Sequence, residues 1–99
     1  MSKFEIEFIQ EADIEITEAY VYYENQLNGL GDRFLYELER LINIIIKSPN
    51  AFQIFNSTNK TRQVPMDVFP FVIIYRIDEK KIVFLAVFGT NQNPVKKVR

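Results

Sequence analysis

The chain has no cysteine and no histidine among its 99 residues. Without cysteine there can be no disulfide framework, no thiolate zinc site and no sulfur nucleophile. Without histidine there is no imidazole general base, no Ser-His-Asp triad and no histidine metal ligand. Glycine is scarce too: Gly29, Gly31 and Gly89 are the whole inventory, which excludes a glycine-rich phosphate loop. Uncharged runs are too short to span a bilayer, so no membrane partner is expected. The amino terminus, MSKFEIEF, lacks an apolar signal core and reads as cytoplasmic. In that compartment the glycosylation-like triplets at Asn56 and Asn59 are chance matches. Chemistry is left to carboxylates, Lys, Arg, Tyr and hydroxyls, with neither metal nor cofactor implied.

What is present is an ordinary globular composition, 47% apolar and 25% charged, of a size that makes residues 1–99 a single domain. The net charge of −1 conceals a division. Residues 1–49 carry ten acids and four bases, whereas residues 50–99 carry three acids and eight bases. Either the basic half meets nucleic acid or an acidic protein, or the halves neutralise each other within one fold.

Hydropathy patterning supplies the elements. Lys3 to Ile9 alternates, with Phe4, Ile6 and Phe8 on one side, the period of a half-exposed strand. From about Glu11 the period becomes helical, with Ala12, Ile16, Ala19, Tyr20, Tyr23 and Leu27 on one arc. This helix is expected to stop near Asn28, closed by Gly29. After the short link Gly29-Leu30-Gly31, capped by Gly31 or Asp32, a second helix carries Phe34, Leu35, Leu38, Leu41, Ile42, Ile45 and Ile46 and stops before Pro49. Residues 50–61 read as a polar loop pinned by Phe52 and Phe55. Strands follow at about Arg62–Met66, Phe69–Ile77 and Lys81–Phe88, the last two joined as a hairpin through Asp78-Glu79-Lys80. The expected class is α+β in the order β-α-α-β-β-β: a mostly antiparallel four-stranded sheet with two antiparallel helices packed on one face.

Two helices cover one face only. On strict alternation Val72, Ile74, Val83, Leu85 and Val87 supply the other, and a partner chain is expected to cover it. Ile14 and Val21 lie opposite the core arc of the first helix. Lys60, Arg62, Arg76, Lys96, Lys97 and Arg99 either form a cationic rim or are solubilising strand ends. Asp13, Glu15, Glu18 and Glu24 are numerous enough to suggest a metal or acid–base site, but Glu11, Asp13, Glu15 and Glu18 read as a solvated face near a helix amino terminus, not as a site.

Several segments together resemble the RelE/ParE toxin superfamily over nearly the whole chain. They are Ala12-Asp13-Ile14, Tyr22-Tyr23-Glu24, Leu30-Gly31-Asp32-Arg33-Phe34, Pro49, Arg62, Phe69 to Tyr75, and Ala86-Val87-Phe88. The resemblance implies the toxin of a bacterial type II toxin–antitoxin pair, neutralised by a cognate antitoxin that covers Val72, Ile74, Val83, Leu85 and Val87. ParE-type members inhibit DNA gyrase, and RelE-type members cleave messenger RNA in the ribosomal A site. The chain departs from the RelE-type pattern: Val72 stands where an arginine belongs, Asn91 lies near a second basic position, and no tyrosine follows Tyr75. Gly89 and Gln92 replace basic residues common in ParE-like relatives, while Pro94 is kept. The resemblance therefore implies a ParE-like toxin that binds a protein target such as gyrase through Arg62, Arg76, Lys96, Lys97 and Arg99. The alternatives are a ribosome-dependent messenger endoribonuclease using Arg62 and the lysine tail, and a non-toxic interaction module on the same scaffold.

Overall fold

The computed structural model describes residues 4–90. The amino-terminal alternation forms β1 (Glu5–Phe8), and Phe4 and Phe8 turn inward to the core. α1 (Gln10–Gln26) follows at once, with Glu11 and Asp13 in its first turn, where carboxylates meet the exposed N–H groups. Ala12 and Ala19 are buried, and Ile16 and Tyr23 pack on the core.

The turn between the helices differs from the expected one. α1 closes at Leu27, whose extended backbone leaves its side chain 64% exposed instead of in the core. The cause is Glu24. Its carboxylate accepts the Gly29 N–H at 2.8 Å and the Gly31 N–H at 2.9 Å, capping α2 (Leu30–Lys47) from the preceding helix. Gly29 takes φ +91°, a left-handed conformation that glycine adopts without strain. Gly31 is not the cap but lies inside the first turn of α2, where an added Cβ would stand 2.7 Å from the Tyr20 carbonyl oxygen. The two helices approach this closely because that Cβ is missing. Phe34, Leu38 and Ile45 then face the core, whereas Leu35 stays at its exposed margin.

The sheet has five strands in the order β1-β5-β4-β3-β2, formed by β2 (Ile54–Asn56), β3 (Thr61–Pro65), β4 (Phe71–Asp78) and β5 (Lys81–Gly89). It is mixed rather than a mostly antiparallel four-stranded layer, because β1 pairs with β5 in parallel. The extra strand comes from residues read as loop. Asn56 Oδ1 accepts the Thr58 N–H at 2.9 Å, Asn59 Oδ1 accepts the Thr61 N–H at 3.2 Å, and Lys60 adopts φ +59°. The polar run is thus a hairpin turn built by asparagine side chains. β2 itself is exposed throughout, so no burial alternation marked it as a strand.

Phe69 precedes β4 rather than opening it, and it stacks edge-to-face with Tyr23 and Phe34 at centroid separations of 4.8 and 5.3 Å. With Phe71 these rings join the two helices to the sheet.

β5 contains a bulge. Tyr75 pairs with Phe84 and Ile74 with Ala86, so Leu85 has no partner on β4. Before the bulge Ile82 and Phe84 face the helices; after it Val87 does. The face away from the helices therefore holds Val72, Ile74, Val83, Ala86 and Phe88, and two earlier assignments change. Val87 belongs to the helix-side core, and Leu85 sits at the bulge. Nor is this second face bare: Val72 and Val83 are 4% exposed, Phe88 8% and Ala86 0%.

Two substitutions test the helix pair. Gly31→Ala is expected to lower the unfolding free energy by about 1–3 kcal/mol through overpacking against a fixed carbonyl. Glu24→Ala is expected to lower it by about 1–2 kcal/mol through loss of the cap. Urea unfolding reads both, and an unchanged midpoint for Gly31→Ala would contradict the close approach.

Candidate interaction surfaces

The two arginines of the sheet do not share a surface. Arg62 pairs with Tyr75 in the β3–β4 ladder and lies with it on the helix side. Its Nη1 donates to the Phe52 carbonyl and to the Asn50 carbonyl at 3.5 Å, and its Nη2 donates to Asn50 Oδ1 at 3.4 Å. Beside it the Tyr75 hydroxyl donates to the Pro49 carbonyl at 2.7 Å. Arg62 and Tyr75 thus clamp the segment between α2 and β2, giving its carbonyls donors they would lack against the sheet. Burial pushes the Tyr75 hydroxyl up to about 12, with the nearby Arg62 charge pulling the other way.

Arg76 lies on the second face, opposite Val83 in the register and two residues from Ile74. It is partly exposed, and its side chain has no ion pair or hydrogen bond among the described residues. Three other bases are paired: Arg33 and Arg40 with Glu37 at 3.4 and 3.3 Å, and Lys81 with Glu7 at 3.2 Å. Lys60 is exposed in the β2–β3 turn. Lys96, Lys97 and Arg99 lie outside the described residues, as do Asn91 and Gln92. Of the five residues expected to form one basic contact surface, the two described ones are separated by the thickness of the sheet.

The apolar residues expected to meet a partner divide as well. Val72, Ala86 and Phe88 form a small cluster with Ile74 packed against it, apart from the main core. Other large apolar side chains are more exposed, among them Ile14, Val21 and Tyr22 on α1, Leu35, Tyr36 and Ile44 on α2, and Ile54 and Phe55 on β2. Between β1, α1 and α2 runs an open groove of about 670 Å³, floored by Phe8, Ile16, Leu38 and Ile42 and rimmed by Asp13, Asp32 and Glu39.

Sequence reading missed the work of two acids. Glu24 caps α2, and its spacing to Gly29 and Gly31 was a usable local signal. Glu15 Oε1 accepts the Val87 N–H at 2.9 Å across 72 residues, and no local pattern announces such a bond. It arises because β1 ends at Phe8, paired with Phe84, so among the described residues the rest of β5 has no paired strand on that edge. No described helix is long and apolar enough to cross a membrane.

A sequence profile for the ParE toxin of type II toxin-antitoxin system, parDE, matches residues 6–94. A search of curated protein sequences finds no significant match. Among solved structures the fold is similar to a chain of the chromosomal ParDE TA system from P. aeruginosa, with a TM-score of 0.77 and 12% identity, covering 87% of this chain and 95% of that one. It is also similar to the isolated E. coli RelE toxin, with a TM-score of 0.66 and 16% identity, covering 94% of this chain and 90% of that one.

The clamp yields a pH test. A raised pKa means that the fold favours the neutral hydroxyl of Tyr75, so its contribution is complete below about pH 10 and is lost as pH rises through about 12. Urea stability is expected to fall across that window and to fall less steeply in Tyr75→Phe, which also loses about 1 kcal/mol at neutral pH with its hydrogen bond. Equal slopes for the two proteins would contradict the burial of the hydroxyl. Arg62→Ala is expected to cost about 1–3 kcal/mol and to speed proteolysis within residues 49–53.

Proposed function

Because the chain belongs to the ParE toxin family of type II toxin-antitoxin systems, we propose that it arrests growth by binding a protein target, with DNA gyrase the first candidate, and that a cognate antitoxin neutralises it. One observation carries the preference for binding over phosphoryl chemistry. Val72, which occupies the place of a RelE-type arginine, is 4% exposed within the cluster of Ala86 and Phe88. Arg62, the nearest substitute, spends its guanidinium on the carbonyls of residues 50 and 52. With histidine also missing, the described residues hold few groups able to stabilise an in-line displacement. In this reading Arg76 is the described residue that meets the target, assisted by Lys96, Lys97 and Arg99. The antitoxin, as a segment that folds on binding, covers apolar surface on the toxin.

The similarity to E. coli RelE favours one second reading, a ribosome-dependent endoribonuclease using Arg62 and the lysine tail. The two readings separate in vitro. Purified protein is expected to inhibit gyrase supercoiling and to leave messages intact in a translating extract. Arg76→Ala is expected to weaken gyrase inhibition about tenfold with little change in unfolding midpoint, as for an interface arginine. Unchanged supercoiling at saturating protein would remove gyrase as the target. Message cleavage lost on Arg62→Ala would replace the binding reading with the nuclease.

A further inference from the structure

The described sheet ends in two unlike edge strands. One is β1, whose exposed Glu5 and Glu7 would repel a second copy of the same strand laid against it. The other is β2, which carries no such guard. Residues 48–59 contain no charged side chain. Phe55 is 68% exposed, the highest value among the large apolar side chains described, and Ile54 beside it is 46% exposed. β2 pairs with β3 on one side, so alternate N–H and C=O groups along it point outward from the sheet.

The strand is held ready for a neighbour. Arg62 fixes the segment that enters it through the Asn50 and Phe52 carbonyls, and the Asn56 and Asn59 side chains fix the turn that leaves it. Pairing therefore costs little backbone ordering. Next to Phe55 lies a hollow of about 380 Å³, lined by Gln53, Ile54, Phe55, Gln63 and Pro65, again without a charge. A projecting ring and a hollow side by side on one surface are self-complementary, because a two-fold axis brings each ring to the other copy's hollow. An edge without charge also offers a foreign strand little by which to be selected, whereas its own copy matches it in length and pattern. We infer that the partner of β2 is a second copy of this chain, paired antiparallel through β2 about an axis at Phe55. The two Phe55 side chains then face each other across the axis, and two five-stranded sheets join into one. The assembly closes at two, because the outermost strand on each side is then the carboxylate-bearing β1. β2 supplies three residues from each copy, so the dimer is weak and concentration-dependent.

The association does not depend on what the chain acts on, and it is read on the full chain alone. Sedimentation equilibrium from about 5 to about 200 μM is expected to show the mass rising from 11.7 kDa toward twice that value. Phe55→Lys is expected to hold the chain at the monomer mass with an unchanged unfolding midpoint, since the position is exposed. Because the chain has no cysteine, Phe55→Cys carries the sole thiol. With glutathione disulfide as oxidant it is expected to form a disulfide-linked dimer about tenfold faster than Leu27→Cys, a position 64% exposed at the turn between the helices. A monomer mass throughout, growth beyond the dimer, association that Phe55→Lys leaves intact, or equal cross-linking at the two positions would each overturn the proposal.

Discussion

A single unpaired residue, Leu85, determines which side of β5 faces which layer. Strict alternation would carry Val83, Leu85 and Val87 along one face. The bulge instead sends Val87 into the core between the helices and the sheet, and puts Ala86 and Phe88 with Val72 on the opposite side. It also aims the Val87 N–H at α1, where Glu15 receives it. β1 pairs with β5 only as far as Phe84, so the bulge lies where that pairing ends. The buried second face and the Glu15 bond to the Val87 N–H both follow from this one shift of register.

Charge is organised by layer. The helices hold most of the acids, which serve as caps at Glu15 and Glu24 and as the rim of the groove at Asp13, Asp32 and Glu39. The described arginines of the sheet are divided between a structural duty and an exposed one. Arg62 secures the chain leaving α2, and Arg76 stands on the far face. A surface of this kind suits partners of opposite charge on different sides: an acidic target beside Arg76 and basic or amphipathic segments along the helices. On the proposed reading, in which the chain meets both a target and an antitoxin, separate surfaces would let the two be recognised independently.

Much of the architecture was legible in the sequence, because periodicity reports burial. The 3.6-residue pattern from Ala12 and from Phe34 marked both helices, and the alternation at Phe4, Ile6 and Phe8 marked β1. Three features were not legible, each for a physical reason. β2 buries nothing, so its residues carry no pattern. The parallel β1–β5 pairing is a long-range choice that local alternation does not encode. The bulge at Leu85 breaks a period without changing composition, since every residue from Ile82 to Phe88 is apolar. Arg62 and Arg76 are not brought together, for a topological reason: they are close in the ladder, yet side chains on neighbouring strands meet only when their parity agrees. The family was legible from the order and spacing of many short segments, while the roles of Glu15 and Glu24 depended on backbone N–H groups that only the fold exposes.

The central claim is that this chain stops growth by occupying a protein rather than by cutting RNA. The most direct measurement follows growth in cells expressing the full chain alone while the ends of ribosome-bound messages are mapped. The account predicts arrested growth with intact messages, relieved when an antitoxin gene is supplied. Arrest accompanied by message breaks within the ribosomal A site, or undisturbed growth, would contradict it.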